Sequence, residues 1–157
     1  MNLTKLNNLQ KTVLVIAGSD PSGGAGIQAD LKTLTSFGVY GMTAITALTE
    51  QNTNGVFDIL EIPIEFVVKQ INCCLSDINA NAVKIGMLHS ADLISAVLEA
   101  LFNNNIVSNK KVNIVLDPVM VAKGGHKLLK ENAIDALKNF IKVCLLYTSD
   151  AADEHSW

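Results

Sequence analysis

No C-x-x-C pair occurs among the three cysteines, Cys73, Cys74 and Cys144, and helix neighbours such as 73 and 74 point in different directions. The sequence therefore offers neither a disulfide framework nor a zinc site, and Cys73 and Cys74 read as helix packing residues. Long apolar runs are missing as well. The opening MNLTKLNNLQK is polar, and the first apolar run, Val13 to Ala17, is too short for a signal core or a membrane span, which leaves the cytoplasm as the default compartment. Basic charge is in deficit, with 12 Lys and Arg against 15 Asp and Glu and a net charge of -3. No basic run alternates with aromatics, so a nucleic-acid surface is not expected. Neither an internal repeat nor an interdomain linker is visible.

What remains is one domain's length of chain, 157 residues at 49% hydrophobic and 17% charged, enough to bury a core. Apolar, β-rich runs alternate with segments of helical period from Thr12 onward. This is the pattern of βαβ units and a largely parallel sheet covered by helices. Five strands are predicted: Thr12–Ala17, Met42–Ala47, Val56–Glu61, Ala82–Ile85 and Val112–Leu116. Ala25–Phe37 predicts a helix with Ile27, Leu31 and Leu34 on one face and a stop at Gly38. Pro63 suits a first helical turn ahead of the stripe Val67, Ile71, Leu75 and Ile78. Ser90 can cap a third helix carrying Leu93, Ile94, Val97, Leu98 and Leu101. A fourth, Glu131 to Lys142, places Ile134, Leu137, Phe140 and Ile141 together, and Asn103–Lys111 reads as a surface loop.

A Gly-rich segment lies where the first strand turns into the first helix, Ala17-Gly18-Ser19-Asp20-Pro21-Ser22-Gly23-Gly24-Ala25-Gly26-Ile27-Gln28-Ala29-Asp30. It lacks the Gly-Lys-Ser/Thr of a P-loop and is not G-x-G-x-x-G. Glycines there let backbone approach a ligand, and free N–H groups at the helix start favour anionic or acceptor atoms. A tight connection alone accounts for Gly18, Pro21 and Gly23, but not for a carboxylate at Asp30. His89 and His126 have no partner at ligand spacing and read as loop histidines, and His155 falls in the tail.

The run AGSDPSGGAGIQADLKT is similar along its whole length to the signature of the hydroxymethylpyrimidine/phosphomethylpyrimidine kinases of thiamine biosynthesis, a ribokinase-like family. Three further segments agree in order: Ile45–Thr53, Val83–Leu88 and Val115–Gly125. The resemblance runs from about Val13 to about Lys142 and implies a three-layer α/β/α fold with a mostly parallel sheet. It also implies that these segments follow the C-terminal ends of successive strands and line one crevice.

The substrate implied is 4-amino-5-hydroxymethyl-2-methylpyrimidine, with ATP as phosphoryl donor and Mg2+ as the metal. Gln51 can pair with the pyrimidine edge through its own donor and acceptor, Asp30 can accept from the amine or hydroxyl side, and the backbone at Gly18 and Val119 can supply the rest. Met87 would pack against the ring, although taken alone it reads equally as core filler. On the phosphate and magnesium side the resemblance implies Asp117, a hard oxygen ligand at a strand end that could otherwise form an Asx turn before Pro118. Lys123 could meet phosphate, but a lone loop lysine is more often solvated. A homodimer of the intact protein is compatible with the resemblance. Other readings are a pyridoxal kinase of the same superfamily and a non-catalytic pyrimidine-binding module.

Residues 1–142 are thus expected to be the N-terminal part of one kinase domain, truncated on its C-terminal side. The anion hole, the catalytic residue and most of the adenine pocket are expected beyond it, and this chain alone is expected to be inactive. After Lys142 another strand is due, and CLLYTSDAADEHSW follows instead. Cys144 to Glu154 resembles the translation of a transposon-type sequencing adapter, so 143–157 is expected to be a non-native tail.

Overall fold

The structure, a computed structural model, describes residues 10–119, 133–142 and the backbone of 146–147. Lys123, His126 and His155, and with them the predicted start of the fourth helix, lie outside these residues. The strands are β1 (Thr12–Ser19), β2 (Tyr40–Asn52), β3 (Gly55–Glu61), β4 (Ala82–Ile85), β5 (Asn113–Leu116) and the two-residue β6 (Leu146–Tyr147). They form one sheet in the order β3-β2-β1-β4-β5-β6, in which only β2–β3 is antiparallel. Of the suspected tail only Leu146 and Tyr147 are described, and they pair in parallel with Val115 and Leu116.

The helices are α1 (Gly26–Ser36), α2 (Ile64–Asp77), α3 (Ala91–Asn103) and α4 (Ile134–Ile141). Local chemistry sets their ends. The backbone N–H of Gly38 donates to Thr35 and that of Val39 to Leu34, the paired bonds that close α1. Ser90 Oγ accepts from the Leu93 amide at 3.3 Å and opens α3. Pro63 sits just outside α2, its carbonyl accepting from the amides of Phe66 and Val67.

Alternation along the strands divides the core in two. Leu14 and Ile16 of β1, Val83 and Ile85 of β4 and Ile114 and Leu116 of β5 face a large apolar cluster built with Val67 and Ile71 of α2, Leu93, Ile94, Val97 and Leu101 of α3 and Leu137 and Phe140 of α4. Val15 and Ala17 face the other way, against Ile27 of α1. The three-layer arrangement follows.

Three expectations need correction. β2 runs well past Ala47, to Asn52, because its C-terminal half pairs with β3 in a hairpin, so Gln51 lies on a strand and not in the loop after one. Cys73 is exposed; only Cys74 packs, its thiol 3.9 Å from the Thr43 carbonyl. Ile134 is 43% exposed although its spacing placed it on the apolar stripe of α4.

One side chain of α2 completes the sheet where its strands cannot. Gln70 accepts from the Ile45 amide at 3.0 Å and donates to its carbonyl at 3.1 Å, and β3 pairs with β2 only from Ala47 onward. Ile71, one position on, is fully buried in the larger core. Ile71→Ala should therefore cost roughly 2–5 kcal/mol of stability, seen as a lower urea midpoint with an unchanged slope; a midpoint within error of the parent would show that α2 does not carry the core.

Candidate functional site

Strand order reverses at β1. The chain leaves β1 through α1 toward β2 on one side of the sheet, and leaves β4 through α3 toward β5 on the other. Such a switch opens a crevice at the C-terminal ends of the two strands. Here they are held together by the Gly86 amide donating to the Ile16 carbonyl at 2.8 Å.

The β1–α1 loop is organised by Asp20, a residue that sequence reasoning did not single out. Asp20 is 3% exposed. Oδ1 accepts from the amide and hydroxyl of Ser22 at 2.8 and 2.7 Å, and Oδ2 from the amides of Gly24 and Ala25 at 3.0 and 2.8 Å. Burial works against the charged form, but the Ser22 hydroxyl, with the Ser22, Ala25 and Gly24 amides, outweighs it and holds the Asp20 pKa below the ordinary 3.8. The amides of Ser22, Gly24 and Ala25, in the turn before α1, are thus already occupied from within. Gln28 adds a second tie, accepting from the Asp20 amide at 2.9 Å and donating to Ser19 Oγ at 2.7 Å. Gly26 opens the helix at a φ of +57°, where a Cβ would clash with the Gly18 carbonyl, so only glycine fits. The signal for Asp20 was in the sequence: an aspartate before Pro-Ser-Gly-Gly is a side chain poised to bond backbone two to five residues on.

Across the crevice, Gly18 and Met87 touch: a Cβ on Gly18 would lie 2.7 Å from Met87 Cε. Met87 is 7% exposed and is pinned through its carbonyl, which accepts from the buried Thr46 hydroxyl at 2.9 Å. Asp30 is engaged with Lys84 of β4, whose Nζ donates to Oδ2 at 2.9 Å, both side chains about a quarter exposed. Lys84 is a second residue that sequence reasoning missed. His89, expected as an ordinary loop histidine, is on the β4–α3 loop but buried, its Nε2 3.3 Å from a Glu61 carboxylate oxygen.

Gln51 stands apart from this group. β1 stops pairing at Ser19 opposite Leu48, so the rest of the β2–β3 hairpin overhangs the crevice. Beneath it lies a concavity of about 460 Å³ lined by Pro21, Leu48, Thr49, Glu50, Gln51, Asp58 and Leu60. Gly18, Asp30 and Met87 are not among its walls. The link is Thr49, whose hydroxyl lies 2.8 Å from the Ser19 carbonyl and 3.1 Å from Gln51 Oε1, with one proton to give to either. Asp117 directly follows β5; its amide donates to the Ile85 carbonyl, and its carbonyl accepts from the Val119 amide, both at 2.8 Å. Gly18, Met87, Asp117 and Val119 therefore stand on three adjacent strand ends.

The Asp20 network makes a pH-dependent prediction. A pKa lowered by folding stabilises the native state above the unfolded value, and that contribution is lost as pH falls through the folded one. Asp20→Asn keeps the shape but turns an amide toward backbone donors, so it should cost roughly 2 kcal/mol near neutral pH. The gap to the parent should close in acid, below the ordinary 3.8. Denaturation at stepped pH checks this; a gap that does not change with pH would mean that the charge of Asp20 is not what holds the loop.

The phosphomethylpyrimidine kinase family model matches residues 20–155. The hydroxymethylpyrimidine/phosphomethylpyrimidine kinase of Salmonella typhimurium is 48% identical over 125 residues, covering 80% of this chain and 45% of that protein. The crystal structure of the phosphomethylpyrimidine kinase from Clostridium difficile superposes with a TM-score of 0.79 at 44% identity, covering 88% of this chain and 58% of that one. The pyridoxal kinase from Staphylococcus aureus, in complex with AMP-PCP and pyridoxal, matches with a TM-score of 0.74 at 33% identity, covering 89% of this chain and 48% of that one. The chain thus spans about half the length of its relatives. With its ribokinase-like sheet and the Gly-rich loop held by Asp20, it belongs to the phosphomethylpyrimidine kinase family.

Proposed function

We propose that this chain carries the pyrimidine-binding half of a MgATP-dependent kinase that phosphorylates 4-amino-5-hydroxymethyl-2-methylpyrimidine and its monophosphate in thiamine biosynthesis. The observation that carries the reading is the state of the β1–α1 loop. Three of its amides, those of Ser22, Gly24 and Ala25, are taken by Asp20, which leaves fewer donors for a phosphate and favours a neutral ring flanked by Met87 and Gly18 on this side of the crevice. Asp30 then accepts from the ring's amine or hydroxymethyl group, and Gln51 closes on its edge from the overhanging hairpin. The likeness to the pyridoxal kinase is weaker in identity, 33% against 44%, which favours the pyrimidine.

The phosphate belongs at the β5 end. Among the described residues no three His, Cys, Asp or Glu side chains group to hold a metal. A single carboxylate at Asp117 suits magnesium, which keeps several waters and takes one or two carboxylates together with substrate phosphates. MgATP, when bound, supplies the phosphoryl group and neutralises developing charge. The part of this chain is to hold the pyrimidine hydroxyl in place and to offer Asp117 toward the metal. Lys123, outside the described residues, is proposed on the same side.

No described helix is long and apolar enough to cross a membrane; a cytoplasmic location and a homodimer of the intact kinase form part of the proposal. So does the boundary at Lys142, which the coding DNA across residues 143–157 tests: nucleotides unrelated to a sequencing adapter would make the tail native.

In the complete kinase, Gln51→Ala should weaken pyrimidine binding by roughly 1–3 kcal/mol, because a ring atom is left unmatched. Calorimetry reads this, and unchanged affinity would remove Gln51 from the site. Asp117→Asn should lower magnesium-dependent turnover far more than pyrimidine affinity. The reverse pattern would place Asp117 on the pyrimidine side.

A further inference from the structure

Lys84 has no obvious reason to be where it is. Val83 and Ile85 point into the larger core, so Lys84 points to the α1 side, in register with Val15 of β1 and Val115 of β5. Apolar side chains fill such positions in a central parallel strand. A half-buried ion pair there contributes little or nothing that a well-packed apolar pair would not. Stability alone therefore does not account for it.

The surroundings of the ammonium connect it with the crevice. A Cβ on Gly86 would come within 3.1 Å of Lys84 Nζ and 3.0 Å of Ala17 Cβ. The absence of a side chain at 86 is thus what lets the lysine lie beside the strand end, next to the contact between Gly18 and Met87. From there it reaches Asp30, which α1 brings over the sheet from 54 residues away in sequence. The bond uses Oδ2 alone, and among the described residues no group bonds Oδ1. A carboxylate held by one oxygen keeps its second as an oriented acceptor.

We propose that Lys84 is a positioning residue: it fixes the Asp30 carboxylate so that the remaining oxygen meets a hydrogen-bond donor of the pyrimidine. This rests on the pyrimidine-kinase reading above and adds to it a residue outside the expected contact set. Losing the ammonium frees the Asp30 side chain to rotate, so the ordering cost then falls on substrate binding.

The test uses the complete kinase with the variants K84M, K84R, D30N and K84M/D30N, measuring KM for the pyrimidine and for ATP separately. K84M should raise the pyrimidine KM by about tenfold, the loss of one charge-assisted contact, and leave the ATP KM in place. K84R should recover part of the loss. On the D30N background K84M should add less than about twofold, because a residue acting through Asp30 has nothing left to act on. Should K84M fold poorly, G86A crowds the ammonium without removing it and should raise the same KM by a smaller factor. A pyrimidine KM unchanged in K84M and G86A, or a K84M effect that multiplies in full with D30N, would overturn the role of Lys84 while leaving the kinase reading intact. A parent enzyme that does not phosphorylate the pyrimidine would overturn both.

Discussion

The constraint on which the site depends is a buried negative charge that belongs to the protein itself. The start of α1 and the turn before it present a cluster of backbone donors, which in many α/β proteins is filled by a phosphate. Here Asp20 takes those of the turn. Because its carboxylate takes amides from Ser22, Gly24 and Ala25, the loop has a defined shape before any ligand arrives. Gly26 can then start the helix against Gly18, and Asp30 emerges one turn later facing β4. Remove the internal anion and the turn loses four of the hydrogen bonds that shape the floor of the crevice and the entry to α1.

This arrangement separates two kinds of chemistry along one edge of the sheet. At the β1 end the Ser22, Gly24 and Ala25 amides are satisfied, and the chemistry offered is a buried thioether against Gly18 beside a paired carboxylate. At the β5 end Asp117 follows a short strand. The parallel order puts β4 between the two, so Lys84 on that strand and Met87 just past its end join the halves. A molecule with an aromatic ring and a reacting hydroxyl could lie across these strand ends with each part in its own environment.

The sheet and helices were legible in the sequence because their signals are local. The apolar run Val13–Ala17 gave β1 and the short β-rich segment Ala82–Ile85 gave β4, interrupted though it is by Lys84; Gly38 ended α1 and Ser90 opened α3. The extent of β2 was not legible: from Ala47 onward its pairing depends on β3, and the polar run Glu50-Gln51-Asn52 carries no local strand signal. His89 looked like any loop histidine because its burial comes from distant elements. Asp20 could have been found from turn chemistry, whereas Lys84 could not, since its partner lies 54 residues away and only the alternation of a buried strand shows which side it faces. Family resemblance supplied Gly18, Asp30, Gln51, Met87, Asp117 and Val119 as a set. The structure brings Gly18 against Met87 and ties Gln51 to the same loop through Thr49.

The strand order also bears on how the chain acquires its shape. β1 finds β2 through one short crossover, but its other edge stays open until β4 arrives, about 70 residues further along the chain. As the chain emerges from a ribosome, β1, β2 and β3 can associate while β1 still presents a row of unpaired backbone groups on a mostly apolar strand. Insertion of β4 is the event that seals that row, and the same event delivers Met87 to Gly18 and Lys84 to Asp30. The contacts at the crevice and protection from aggregation therefore arrive together in one late step of assembly. A chaperone that shields nascent β1 would be guarding the future crevice.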